Sequence, residues 1–194
     1  MKDFIEVVAI VDKSGSMGAI KDDAIGGLNE FIANLNDGKN VFTLTFFNDT
    51  VETFCVADNA PVLSSENYKA AGMTAMFDAI GETIDAVGRR LSDTPESQRP
   101  RKVIVAIVTD GQENASHNPK YCSAKQISEM ITHQKSVYNW EFVFLAANQS
   151  AVLSAGAIGI EPKDAFDYQA TGAGVRRGYE TLTTTVQAYA KQDK

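Results

Sequence analysis

Two nearly continuous apolar runs, rich in β-branched residues, constrain the fold of this chain more than any other feature of its sequence. They occupy residues 4–11 and 102–109, and each is followed directly by an aspartate, Asp12 or Asp110. A strand that is apolar at nearly every position is typical of the middle of a parallel sheet, because helices cover both of its faces. The sequence therefore predicts two central parallel strands, each with a carboxylate at its carboxyl end.

Segments with helical periodicity lie between most of the predicted strands along the chain. Apolar residues recur at helical spacing in five segments, and the predicted helices are 20–35, 75–91, 123–137, 147–156 and a C-terminal helix that begins at Thr171. The remaining predicted strands are 41–47, 50–56, 141–146 and 165–168. A tight turn joins the first two of these, so they must be antiparallel. The pattern predicts a doubly wound α/β fold with a mostly parallel sheet and one antiparallel edge strand. At 194 residues, a single domain over residues 1–194 is expected.

Charge and cysteine content narrow the classes of function. The net charge is −7 and the pI is near 4.8, which argues against nucleic-acid binding because that function needs a basic surface. No apolar stretch approaches the roughly 20 residues that span a bilayer, so no membrane partner is expected. Cys55 and Cys122 form no metal-binding spacing and are expected to be free thiols. No signal peptide is recognisable, and a cytoplasmic protein is expected.

Hydroxyl side chains accompany both aspartates. Ser14 and Ser16 follow Asp12 in a tight turn, and Thr74 precedes the helix predicted at 75–91, which it is also expected to cap. The carboxyl ends of neighbouring parallel strands meet at one edge of a sheet, where open α/β sheets bind their ligands. Two carboxylates there repel each other unless a cation or a proton lies between them. Clustered oxygens of this kind suit a hard divalent cation.

Three motifs resemble the von Willebrand factor type A family and its metal-ion-dependent adhesion site. They are Asp-Lys-Ser-Gly-Ser at 12–16, Gly-Met-Thr-Ala-Met at 72–76 and Thr-Asp-Gly at 109–111, and they match the family in residue type, order and spacing. The resemblance covers essentially the whole chain and implies a Rossmann-like α/β fold. It also implies a bound Mg²⁺, with Ca²⁺ or Mn²⁺ as alternatives. The implied metal residues are Ser14, Ser16 and Thr74 through their hydroxyls, and Asp12 and Asp110 directly or through water.

The same resemblance implies a non-enzymatic protein-binding function. In this family the cation usually binds an aspartate or glutamate of a partner protein, so that the metal bridges the interface. The residue types agree with that role, because two carboxylates and three neutral hydroxyls leave a divalent cation under-neutralised and open to an external carboxylate. The expected function is therefore a divalent-cation-dependent protein-binding module.

Three nearby positions carry further expectations. Lys13 must point away from a bound cation or weaken its binding. Glu113 is expected to shape the loop after Asp110, with the rim of the metal site as the alternative. Asn148 follows the fifth strand and is expected to cap or brace a loop rather than bind the metal.

Three rival functions fit parts of the sequence. A serine hydrolase would use the turn at 14–18 as its nucleophile elbow with Asp110 and His117 or His133, but Ser14 replaces the first elbow glycine and neither histidine lies in a triad context. Metal-dependent phosphoryl transfer would need a phosphate-binding glycine loop with a lysine, or an Asp-x-Asp pair, and neither occurs. A structural domain without metal-dependent binding is the third alternative.

Overall fold

The computed structural model describes residues 2–36, 38–58, 60–147 and 151–192. Its strands are β1 (Lys2–Asp12), β2 (Val41–Phe47), β3 (Val51–Ala57), β4 (Pro100–Thr109), β5 (Glu141–Ala147) and β6 (Ala165–Tyr168). Its α-helices are α1 (Lys21–Leu35), α2 (Met76–Asp93), α3 (Ala124–Tyr138), α4 (Ala151–Ala157) and α5 (Gly172–Lys191). Short 3₁₀ helices lie at Gly15–Ile20, Glu96–Gln98 and Pro162–Asp164.

The six strands form one mixed sheet in the order β3-β2-β1-β4-β5-β6. Only β2 and β3 are antiparallel among the described strand pairs, and the other four pairings are parallel. The two apolar runs are therefore neighbours at the centre of the sheet, as β1 and β4. The prediction of a doubly wound, mostly parallel sheet with one antiparallel edge strand is confirmed.

Side chains of alternate residues in the central strands build two separate cores. Val7 and Val11 of β1 pack with α1 and α5 on one face, whereas Val8 and Ile10 pack with α2, α3 and α4 on the other. This alternation follows from the two-residue period of a strand. Because both faces are covered by helices, the strands are apolar throughout their length.

Most predicted element boundaries lie within one or two residues of those in the structure, and the starts of two helices show why they differ. The helix predicted at 20–35 begins only at Lys21, because the preceding residues Gly15–Ile20 form a 3₁₀ helix instead. The fourth predicted helix begins at Ala151 rather than at Ala147, which pairs with Tyr168 as the last residue of β5. Residues 148–150, including Asn148, lie outside the described part of the chain.

Neither cysteine forms a disulfide, and no described helix is both long and apolar enough to cross a bilayer.

Two glycines of α2 make a matched pair for a stability prediction. A Cβ atom at Gly81 would lie 2.2 Å from Cδ1 of Tyr121, whereas a Cβ atom at Gly88 would meet nothing within 4 Å. We expect Gly81→Ala to lower the free energy of unfolding by about 1–3 kcal/mol through overpacking. Gly88→Ala is expected to raise it by about 1 kcal/mol, since alanine favours the helix. Urea unfolding measures both, and shifts in the same direction would contradict this account of α2 packing.

Candidate metal centre

The candidate site lies where β1 and β4 stop pairing at the carboxyl edge of the sheet. The last residue pair of this ladder is Val11 with Val108, so Asp12, the last residue of β1, and Asp110, the first residue after β4, lie just beyond it. A crevice outside the carboxyl ends of parallel strands is the usual ligand position in open α/β sheets. The site therefore occupies the edge that the sequence predicted.

Asp12 is fully buried and held on both of its carboxylate oxygens. Its Oδ1 accepts a 2.6 Å hydrogen bond from the Ser14 amide, and its Oδ2 accepts one of 2.6 Å from the Thr109 hydroxyl. Burial raises the pKa of Asp12, although these hydrogen bonds partly offset that effect. The carboxylate thus has a fixed direction, and its charge is incompletely compensated by the protein.

A chain of hydroxyls links the first turn to Asp110. The Ser14 and Ser16 hydroxyl oxygens lie 3.2 Å apart, and the Ser16 hydroxyl donates a 2.7 Å hydrogen bond to Oδ1 of Asp110. Burial raises the pKa of Asp110 as well, although the hydrogen bond from Ser16 lowers it. Asp12 joins this chain because it bonds the Ser14 amide. Hydrogen bonds therefore connect four of the five predicted metal residues, which are Asp12, Ser14, Ser16 and Asp110.

Thr74 joins this group from the segment before α2. A Cβ atom placed on Gly111 would lie 3.3 Å from the Thr74 hydroxyl oxygen and 4.0 Å from that of Ser16, so both hydroxyls face the same glycine. The turn containing Ser16 is tied to the segment before Thr74 by a 3.0 Å hydrogen bond from the Gly15 amide to the Gly72 carbonyl. The structure thus brings all five predicted residues together.

The expectation that Thr74 caps α2 is wrong. Ala75 occupies the capping position and supplies no side-chain hydrogen bond. Instead, Oε2 of Glu113 accepts from the Phe77 amide and the Ser116 hydroxyl oxygen accepts from the Asp78 amide. The loop after β4 therefore satisfies the exposed amides of the helix, a task that capping side chains normally perform. As a result, the Thr74 hydroxyl makes no hydrogen bond within the described residues and remains available to the site.

Glu113 shapes its own loop, as expected, rather than the rim of the site. Besides the Phe77 amide, its carboxylate accepts hydrogen bonds from the Ala115 and Ser116 amides. Lys13 also meets the expectation, because its ammonium group forms a 2.6 Å ion pair with Glu52 and lies over the ring of Phe46. Neither charged side chain occupies the site.

No sequence pattern predicts a role for Thr109, which the structure places in contact with Asp12. Its hydroxyl oxygen also accepts a 3.1 Å hydrogen bond from the Gly111 amide, so one side chain orders both the carboxylate and the turn after β4. The Thr-Asp-Gly motif carried this residue type, but local sequence could not show that it faces another strand.

The donor set fits a hard divalent cation. The five converging side chains provide oxygen atoms only, the ligand type that suits Mg²⁺, Ca²⁺ and Mn²⁺. No group of three or more His, Cys, Asp or Glu side chains suited to a metal occurs in the described parts of the chain. Burial raises the pKa of both aspartates, so a positive charge between them would stabilise their ionised forms.

Comparisons with known proteins identify the fold. No protein-family sequence model and no curated protein sequence matches the chain. Among solved structures, the von Willebrand factor domain of the type V pili tip protein Mfa5 from Porphyromonas gingivalis superposes with a TM-score of 0.69 at 8% identity, over 98% of this chain and 97% of that one. The manganese-loaded TRAP protein of Plasmodium vivax gives 0.62 at 19% identity, over 93% and 74%.

A third relative is proximal thread matrix protein 1 from the mussel byssus, with a zinc-occupied metal-ion-dependent adhesion site. Its TM-score is 0.65 at 14% identity, over 94% of this chain and 45% of that one. The chain also spans only 41–63% of the length of three further matched chains. Identities this low establish the fold alone: the chain has the architecture of a von Willebrand factor type A domain.

Proposed function

We propose that this chain is a divalent-cation-dependent protein-binding module, in which Asp12, Ser14, Ser16, Thr74 and Asp110 hold the cation. The observation that carries the proposal is the convergence of one buried carboxylate, one half-buried carboxylate and three hydroxyls at the carboxyl edge of the sheet. Structural relatives support it, since one has a zinc-occupied adhesion site and another is manganese-loaded. We assign Mg²⁺ to this site, with Mn²⁺ and Ca²⁺ as alternatives.

The composition of the site argues for an external ligand. Its residues offer two negative charges and three neutral hydroxyls, so a bound divalent cation would supply an electrophilic position for a further oxygen ligand. An aspartate or glutamate of a protein partner has the charge and reach to provide that oxygen. Asp12 and Asp110 are held by hydrogen bonds to Thr109 and Ser16, which keeps the binding geometry ordered before a partner arrives.

The surface around the site also suits a protein partner. Gly18, Ala19 and Gly72 are exposed small residues, and the side chain of Met73 beside Thr74 is 56% exposed. Small residues let a partner's backbone approach closely, and an exposed methionine offers an adaptable apolar contact. We propose that the partner's acidic residue is therefore flanked by apolar surface.

A hydrolytic function fits the geometry less well. The hydroxyls of Ser14 and Ser16 contact each other and Asp110 rather than a histidine. His117 lies 3.5 Å from Asp78 on an exposed loop, and His133 packs edge-on against Tyr138 of α3. A serine nucleophile needs a base within hydrogen-bonding reach, and this geometry supports a binding role instead.

Affinity capture tests the proposed function. We expect the wild-type protein to retain a partner from a lysate in Mg²⁺ and to release it in EDTA, while the Asp12→Ala/Asp110→Ala variant retains nothing. Replacing the acidic residues of that partner one at a time should identify the single carboxylate on which retention depends. Equal retention by the wild type and the variant, with or without EDTA, would exclude a metal-bridged interface.

The raised pKa values of the two aspartates predict a pH dependence of cation binding. Both carboxyls must be ionised to hold a cation, and burial keeps them protonated to a higher pH than an ordinary aspartate with a pKa of 3.8. We therefore expect Mg²⁺ affinity to fall several-fold when the pH is lowered from about 7 to about 5. Calorimetric titration at both pH values measures this, with circular dichroism as the control for folding. An unchanged affinity would contradict the role of these carboxyls.

A further inference from the structure

The main-chain carbonyls next to the two site aspartates are each held by a tyrosine hydroxyl. These carbonyls belong to Asp12 and to Thr109, which immediately precedes Asp110. Because the β1–β4 ladder ends at Val11 and Val108, both carbonyls lie where the central strands have begun to separate. Asp12 still pairs with Phe47 of β2 and Thr109 with Ala146 of β5, so each strand end is held on its outer side only, and the tyrosines act where β1 and β4 no longer hold each other.

Tyr68 reaches the β1 end from the loop between β3 and α2. Its hydroxyl donates to the Asp12 carbonyl, and its side chain is almost completely buried. Its ring packs edge-on against that of Phe46, with centroids 5.4 Å apart, so β2 fixes its position. The carbonyl of Asp12 is therefore tied to the neighbouring strand through a rigid aromatic contact.

Tyr168 reaches the β4 end from the far edge of the sheet. It is the last residue of β6, two strands away, and its hydroxyl donates a 3.2 Å hydrogen bond to the Thr109 carbonyl. Its backbone is paired with Ala147 of β5. The peptide that leads into Asp110 is therefore tied across β5 to the edge strand.

Both tyrosines are permanent donors. Burial raises the pKa of Tyr68 and of Tyr168 well above the usual value for a phenol, and the nearby Asp12 and Asp110 charges add to the increase. Each hydroxyl therefore favours its protonated form, in which it donates to the main-chain carbonyl. A third buried tyrosine, Tyr179 of α5, has a hydroxyl with no hydrogen-bond partner among the described residues. It provides a natural comparison for the other two.

We propose that Tyr68 and Tyr168 are positioning residues that fix the separation of Asp12 and Asp110 and so make the site prefer Mg²⁺ over Ca²⁺. The inference rests on the proposed function, because it concerns the same cation site. Each tyrosine anchors the backbone beside one carboxylate to a different part of the sheet. Removing either anchor leaves that strand end held only by pairing with its outer neighbour, so its distance from the other strand end is less tightly fixed.

The size of the cation connects this rigidity with selectivity. Mg²⁺ requires near-ideal octahedral geometry with short metal–oxygen distances, whereas Ca²⁺ accepts longer distances and irregular geometry. A loosened site therefore loses affinity for Mg²⁺ and largely retains its affinity for Ca²⁺. Replacing a residue that hydrogen-bonds to a metal ligand and orients it typically lowers metal affinity about 10- to 100-fold.

Calorimetric titration of the Tyr68→Phe and Tyr168→Phe variants with Mg²⁺ and with Ca²⁺ tests this inference. We expect Mg²⁺ affinity to fall by about tenfold in each variant, Ca²⁺ affinity to fall by less than about threefold, and their ratio to decrease accordingly. The ratio is informative because a general loss of stability would leave it unchanged. Should one variant fail to fold, the other decides the question alone.

Two control variants separate positioning from the general loss of a tyrosine hydroxyl. Tyr121→Phe removes a partly buried hydroxyl that bonds Asp85 at 2.7 Å, and Tyr179→Phe removes the hydroxyl without a described partner. Both controls should keep the wild-type affinity ratio. The inference is overturned if Tyr68→Phe and Tyr168→Phe also keep it, or if the controls change it equally. If the wild type binds neither cation, the proposed function itself fails, and this inference with it.

Discussion

Mg²⁺ at about 100 times its dissociation constant is expected to raise the free energy of unfolding by about 2.7 kcal/mol. The gain arises because the folded chain gathers Asp12, Asp110 and three hydroxyls around one point, and the unfolded chain has no such site. A bound cation would also stabilise the ionised forms of the two carboxylates, whose pKa values burial has raised. Urea unfolding with and without Mg²⁺ measures the gain.

Asp110→Asn provides the control for this gain. The amide is close in shape to the carboxylate and can still accept the hydrogen bond from Ser16, so the fold is expected to be retained. The variant lacks one of the two negative charges of the site. We therefore expect the free energy of unfolding of this variant to be the same with and without Mg²⁺. An Mg²⁺-dependent gain equal to that of the wild type would mean that the cation binds elsewhere.

Thr109→Val is expected to lower the free energy of unfolding by about 3 kcal/mol, the upper end for a buried polar group left without its donor. The hydroxyl that it removes donates to Oδ2 of Asp12, a residue with 0% exposure, and also accepts from the Gly111 amide. A buried ionised group that loses its donor carries the full cost of desolvation. Valine has nearly the same shape as threonine, so the loss measures the hydrogen bonds rather than a cavity.

A second threonine controls for this substitution. Thr184 is exposed and, among the described residues, its hydroxyl bonds the Glu180 carbonyl of its own helix alone, so Thr184→Val should change stability by less than about 0.5 kcal/mol. Urea unfolding of both variants in EDTA gives the comparison. Equal losses at the two positions would show that the Thr109 hydroxyl does not compensate the buried charge of Asp12.

The sheet and the convergence of the five candidate residues could be predicted because their signals are local. The continuous apolar runs of β1 and β4 require burial on both faces, which places both strands at the centre of a parallel sheet. Each run ends at an aspartate, and parallel strands bring their carboxyl ends together. Short strands such as 41–47 and 165–168 matched the structure to the residue, because turn-forming residues bound them.

The residues that support the site could not be predicted, because they act across long sequence separations. Glu113 caps the start of α2 from a loop 36 residues further along the chain, and that contact displaced the expected role of Thr74. Tyr68 and Tyr168 meet the strand ends at separations of 56 and 59 residues. No periodicity or spacing rule marks such pairs, since packing of the whole fold decides which side chains meet.

Asp12 and Asp110 are proposed to hold a divalent cation together with Ser14, Ser16 and Thr74. Calorimetric titration of Mg²⁺ into the wild type and into the Asp12→Ala/Asp110→Ala variant tests it most directly, with circular dichroism confirming that both are folded. We predict a saturable one-site isotherm for the wild type and no binding heat for the variant. Isotherms that are the same for the two proteins would contradict the claim.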